Sequence, residues 1–143
     1  MEIRDVTAED LGRILEIERE CFSLPWTERQ LALQLEPGHV FLAAWADGEL
    51  IGYVGLGYVL DEGYISNVAV APEHRRRGAA GALLAELSRR ALSLELGFLT
   101  LEVRRSNAAA RSLYEKFGYK TAGCRKNYYQ NPREDAILMT LEF

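Results

Sequence analysis

A chain of 143 residues has room for one packed domain and little beyond it, and 48% hydrophobic with 27% charged residues excludes a disordered or fibrous polymer. Its apolar runs fall far short of the ~20 residues that cross a bilayer, and its opening residues, MEIRDVTAED, lack the basic-then-apolar plan of a secretion signal. A formal net charge of −4 disfavours broad nucleic-acid binding. Cys21 and Cys124 share no metal-like spacing with each other or with His39 and His74, so no metal site is expected, and both are expected to stay thiols in a reducing cytoplasm.

No repeat, linker or low-complexity stretch divides residues 1–143, which implies a single domain. Met1–Val6 reads as a short strand. Thr7 precedes a helix whose apolar positions, Leu11, Ile14, Leu15 and Phe22, recur at helical spacing. Thr27 and Gln30 form a capping-box pattern for a second, shorter helix reaching towards Gly38. VFLAAWADGELIGYVGLGYVL reads as two strands joined at Asp47-Gly48. A turn at Asp61-Glu62-Gly63 leads into the strand YISNVAVA, which Pro72 closes. Next come HRRRGAAG and a helix with Ala80, Leu83, Leu84, Leu87 and Ala91 on one face, ending near Gly97. FLTLEV is a buried-type strand. Ser106 is expected to cap a further helix with Ala110, Leu113, Tyr114 and Phe117 inward and Gly118 as its stop. The tail from Tyr119 to Phe143 reads as two strands around YYQNPRED. The order β-α-α-β-β-β-α-β-α-β-β combines a hairpin with a strand–helix–strand crossover. It predicts an α/β (α+β) domain whose mixed, mostly antiparallel sheet carries one central parallel pair.

The run His74 to Gly81 therefore lies between a strand and a helix N-terminus, where the first amides lack partners and the helix dipole is positive. Gly78, Ala79, Ala80 and Gly81 would let an anion approach those amides, and Arg75, Arg76 and Arg77 would add charge-assisted contacts. A solvated basic loop is the alternative. The stretch is neither a Walker loop nor a GxGxxG turn. By pattern alone Glu102 is an exposed or ion-paired carboxylate at a strand end, and Tyr114 is a core aromatic. Trp26, Tyr128 and Tyr129 divide between packing and ligand contact.

Arg75-x-x-Gly78-x-Ala80, following NVAVAPEH, resembles the acetyl-CoA signature of the GNAT N-acetyltransferases, Gln/Arg-x-x-Gly-x-Gly/Ala. The block LEVRRSNAAARSLYEKFGY with RKNYYQNPREDAILM resembles the RimI-type ribosomal-protein-alanine N-acetyltransferases. The resemblance implies the GNAT fold and acetyl-CoA as donor. The backbone of Val68, Ala69 and Val70 would pair with the pantetheine arm, amides from Arg76 to Gly81 would hold the pyrophosphate, and Asn107 would touch the cofactor. It also implies Glu102 as general base, Tyr114 as general acid, and Trp26, Tyr128 and Tyr129 near the entrance for a ribosomal-protein N-terminus. Ala80 stands where many relatives carry glycine. Direct attack without an acyl-enzyme, no nucleic-acid or membrane partner and a monomeric state complete the expectation; a GNAT acting on a small-molecule amine or lysine, or a non-catalytic acyl-CoA-binding sensor, is the alternative. Neutralising an α-amine at pH 7 costs about 1 kcal/mol, against about 4–5 kcal/mol for lysine, which favours an N-terminal acceptor.

Overall fold

Asp47 and Gly48 both take positive φ, 51° and 77°, as a tight hairpin turn demands. The flanking sequence folds as β2 (His39–Ala46) and β3 (Glu49–Val59). The computed structural model describes residues Met1 to Phe143, with five further strands: β1 (Glu2–Asp5), β4 (Glu62–Val70), β5 (Phe98–Arg104), β6 (Lys120–Tyr129) and β7 (Glu134–Glu142). All seven join one sheet in the order β1-β2-β3-β4-β5-β7-β6. Only the β4–β5 pair is parallel, so the expected mixed sheet is present.

Four helices cover the sheet: α1 (Leu11–Cys21), α2 (Glu28–Leu33), α3 (Ala79–Ser93) and α4 (Ala108–Lys116). Ile14 and Ile17 of α1 and Leu31 of α2 bury against Phe41, Tyr53 and Ala69 on one face. Leu83, Leu84 and Leu87 of α3 and Tyr114 of α4 pack on the other face with Leu42, Ile51, Val54, Leu99, Leu101 and Val103. Strand alternation therefore turns Thr100, Glu102 and Arg104 to the face opposite α3. Asp5 and Arg90 tie β1 to α3 through two hydrogen bonds of 2.9 and 2.8 Å.

The central pair is short. β4 and β5 pair only at Glu62↔Phe98, Gly63↔Leu99 and Tyr64↔Thr100. A Cβ at Gly63 would fall 2.5 Å from Leu99 Cδ2, so any side chain there would force the buried Leu99 to shift. Beyond that point Ile65–Val70 and Leu101–Arg104 have no strand partners on their facing edges, and the strands part. On its other edge β4 pairs Ile65 with Leu56 but Asn67 with Gly55, which leaves Ser66 as the extra residue of a bulge.

Local details differ from the sequence expectations: the turn before β4 falls at Leu60-Asp61, since Glu62 and Gly63 already belong to β4, and α3 ends at Ser93, short of Gly97. α2 ends at Leu33, well before Gly38, because Gln34 N–H turns back to the Leu31 carbonyl in a tighter bond. Thr7 opens a short 3₁₀ turn, Ala8–Asp10, before α1, its N–H donating to Asp10 Oδ2 at 2.8 Å. Asn107, rather than Ser106, caps α4: its Oδ1 accepts from Ala110 N at 3.1 Å, while Ser106 N donates to Glu134 Oε2 at 2.6 Å. The Ser106 amide is tied to β7, and the residue after it supplies the capping oxygen.

One charged side chain lies in the core. Glu18 is 1% exposed. It accepts from the Tyr53 hydroxyl, from Asn67 Nδ2 at 2.6 Å and from the Trp26 amide at 2.7 Å. Burial, and then the neighbouring carboxylate, push the Tyr53 phenol well above a tyrosine's ordinary range. The carboxylate thus joins α1, β3, β4 and the segment entering α2. Glu18→Leu strands the buried Tyr53 hydroxyl and two part-buried donors, so urea unfolding should show a loss of about 3 kcal/mol or more. A loss under about 1 kcal/mol would show that these groups find other partners.

Candidate active site

The parted strands form one wall of a gap, and the turn after β4 forms its end. A strand edge without a partner presents alternate N–H and C=O groups to whatever enters. The edge of β4 from Ile65 to Ala69, which contains Val68 and Ala69, is such an edge, while at its end the Val70 carbonyl already accepts from Arg75 Nε and Cys21 Sγ. Ala69 is buried towards α1, whereas Val68 and Val70 pack towards α3. After β4 the chain makes a short 3₁₀ turn, Pro72–His74, and enters α3 through Gly78, whose φ is 82°. A Cβ at Gly78 would meet nothing within 4 Å, so glycine is needed there for its backbone and leaves the approach open. Ala82 N–H makes the first helical bond, to Gly78 O. The amides of Ala79, Ala80 and Gly81 precede it and are left for a ligand.

The three arginines separate by role. Arg75 folds back, its Nε donating to Val70 O at 3.2 Å and Nη2 to Cys21 Sγ at 3.4 Å, so it braces the end of β4. Arg77 Nη1 lies 3.3 Å from His74 Nδ1. Arg76 takes φ 65° and is exposed, a charge free to meet an anion. Gly81 answers a different need: a Cβ there would sit 3.3 Å from the Phe117 ring, so it lets α3 and the end of α4 approach. Ala79 is buried, and Ala80 half-buried.

Glu102 follows Thr100 on β5 and so stands just past the last parallel pair, at the mouth of the gap. Its side chain is 7% exposed. The Tyr64 hydroxyl donates to Oε2 at 2.5 Å, and Arg125 Nε approaches Oε1 at 3.7 Å. Burial and the bond to Glu102 raise the Tyr64 phenol well beyond its ordinary value. Interaction with Glu102, and then burial, raise the phenol of Tyr128, while burial and the same carboxylate raise that of Tyr129. Geometry links the two predicted tyrosines to this group: Arg125, which approaches Glu102, lies 5.8 Å from the centre of the Tyr128 ring, and the Tyr129 ring meets that of Tyr128 at 5.1 Å. Tyr64 and Arg125 complete the group, and the sequence reading missed them. A register argument could have found Tyr64, which pairs with Thr100 and so shares its face with Glu102.

Tyr114 projects from α4 and is 8% exposed, with its ring 5.8 Å from that of Tyr119. Burial alone pushes its phenol up to about 12. Trp26 packs its half-buried ring against the α1 cluster, and Leu24 is the exposed residue of that loop. Asn107 spends its side-chain oxygen on the α4 cap. Cys21 and Cys124 are free thiols, and burial raises that of Cys21, which donates to Val70 O at 3.4 Å. Glu49, Glu73 and His74 converge within 4.8 Å, but Arg13 at 3.4 and 3.7 Å from the two carboxylates already supplies a cation.

The profile of the acetyltransferase (GNAT) family matches residues 11–119. A ribosomal protein bS18-alanine N-acetyltransferase of Escherichia coli (strain K12) is 36% identical over 141 residues, 97% of this chain and 95% of that protein. The crystal structure of the ribosomal-protein-S18-alanine N-acetyltransferase from Escherichia coli superposes with a TM-score of 0.92 at 35% identity, covering 99% of this chain and 92% of that one. A ribosomal-protein-alanine N-acetyltransferase from Brucella melitensis gives 0.88 at 25% identity, with both chains wholly covered.

Because Tyr114 ionises only as pH rises through about 12, tyrosinate absorbance of the wild type and Tyr114→Phe should coincide through the ordinary tyrosine range near 10. A signal near pH 10 that disappears in Tyr114→Phe would place the phenol in water instead.

Proposed function

Since the chain belongs to the acetyltransferase (GNAT) family, we propose that it moves acetyl from acetyl-CoA to the α-amine of an N-terminal alanine, on a small-subunit ribosomal protein. The observation that carries this reading is the near-full-length likeness, at 36% identity, to an enzyme named for that substrate. A nearly buried carboxylate, Glu102, at the mouth of the gap supports it chemically. Acetyl-CoA is the donor throughout the family. Here its pantetheine arm would run along the free edge of β4 at Val68–Val70, and its pyrophosphate would meet the amides from Arg76 to Gly81. Arg75 and Asn107 would act by holding the ends of β4 and α4 rather than by direct charge contact.

Glu102 accepts the amine proton, directly or through a water, as the nitrogen attacks the thioester carbon. The tetrahedral intermediate then collapses and the carbon–sulfur bond breaks. A phenol at about 12 lies about 3.5 units above a thiol near 8.5, a transfer uphill by about 5 kcal/mol. Tyr114 therefore serves by donating a hydrogen bond to the departing sulfur, and the thiolate gains its proton from solvent. The raised thiol of Cys21 is a poor nucleophile, consistent with direct transfer. The chain contains no helix long and apolar enough to cross a membrane. We place the reaction in the cytoplasm, carried out by a monomeric single domain without nucleic-acid contacts.

Intact-mass assays with two peptides test the acceptor: one begins with free alanine, and the other has a blocked terminus and an internal lysine. Only the first should gain an acetyl group. Glu102→Gln should lower kcat by about 10²–10⁴ while calorimetry finds acetyl-CoA affinity unchanged; an equal loss of affinity would make Glu102 structural. Gly78→Glu should abolish acetyl-CoA binding by setting a carboxylate against the pyrophosphate, and intact affinity would remove the cofactor from this turn.

A further inference from the structure

Arg104 stands two residues beyond Glu102 on the same face of β5, about 7 Å along the strand. Its side chain is 27% exposed, and its guanidinium meets four groups. Nη1 donates to Pro132 O at 2.9 Å and to Glu134 Oε1 at 3.3 Å, Nη2 donates to Gln130 O at 2.9 Å, and the plane lies 4.5 Å from the centre of the Tyr129 ring. Between those two carbonyls, Asn131 O accepts from Ser23 Oγ at 2.9 Å. Three successive carbonyls of the β6–β7 connection are thus held by side chains from other elements, two of them by one arginine. The loop just before α2 supplies the third, so the two loops meet.

The connection carries the aromatic wall of the site. Tyr128 and Tyr129 end β6, and their rings meet edge-on at 5.1 Å. Arg125 joins them to Glu102, its guanidinium 5.8 Å from the centre of the Tyr128 ring and its Nε 3.7 Å from Glu102 Oε1. Backbone carbonyls have no means of choosing this position for themselves; a planar fork with five donors does. We propose that Arg104 is a positioning residue for the acceptor: by clamping the Gln130 and Pro132 carbonyls and stacking on Tyr129, it sets the tyrosine wall beside Glu102 against which the incoming amine is oriented. The inference rests on Glu102 being the base. Lysine cannot substitute, because a single ammonium cannot reach both carbonyls in one plane and stack as well.

Three measurements on the full chain test it: steady-state kinetics with the alanine peptide, acetyl-CoA titration by calorimetry, and amide hydrogen exchange across residues 127–133. Arg104→Lys should raise the acceptor KM about 10–100-fold, leave acetyl-CoA affinity within about twofold, and speed exchange in the connection while α3 is unchanged. Ser23→Ala, which removes the other tether, should move the same quantities less far. The proposal is overturned if Arg104→Lys leaves KM and exchange unmoved, if acetyl-CoA affinity falls in parallel with KM, or if only kcat drops. Should the wild type acetylate a small amine and no peptide, the alanine reading fails by itself. Arg104 is then judged on the KM for that amine and on the same exchange pattern, by the same criteria.

Discussion

Two parallel strands that pair for three residues and then separate set the terms for the rest of this protein. Once β4 and β5 part after Tyr64 and Thr100, the backbone groups on their facing edges need other partners, because an unpaired peptide group away from water is costly. The gap therefore demands a guest with its own amides and carbonyls, or water. The pantetheine arm of acetyl-CoA is an extended chain of that kind, which is why a fold of this shape suits thioester chemistry.

Keeping the strands apart takes construction on both sides. On the β4 side the bulge at Ser66 shifts the strand's facing, and Asn67 is pinned to the buried Glu18 carboxylate, which also secures Tyr53 and the entry to α2. On the β5 side β7 takes up the strand's outer edge from Phe98 to Arg104, so β5 follows β7 and not β4. The wedge is closed at its narrow end by Gly63, where Leu99 leaves no space for a side chain.

Charge is used sparingly and locally. The chain is acidic as a whole, yet three arginines and the amide-rich start of α3 collect at one turn. Their division is informative: Arg75 braces the strand end, Arg77 lies by His74, and Arg76 remains available. At the other end of the gap Arg125 and Tyr64 hold Glu102, and Arg104 holds the chain that brings Tyr128 and Tyr129 to it. Tyr114 stays neutral because burial leaves its phenolate without solvation.

The sequence by itself determined the elements and their order. Helical spacing at Leu83, Leu84, Leu87 and Ala91, the Asp47-Gly48 turn and the capping residues are local signals, and each acts within a few residues of itself. The strand–helix–strand order likewise required a parallel pair, and the motif around Gly78 marked the start of α3. Only tertiary structure decided how far β4 and β5 run together, since pairing length depends on strands that compete for the same edge. It also decided that Asn107 would cap α4 while the Ser106 amide bonds Glu134, and that Trp26 would turn inward while Leu24 stayed out. The full company of Glu102 was not legible beforehand, although Tyr64 falls on its face once β4 and β5 are set in register. Tyr64, Arg125 and Tyr128 lie 38, 23 and 26 residues from it in sequence, and no local pattern reports which distant side chains a sheet will bring to one face.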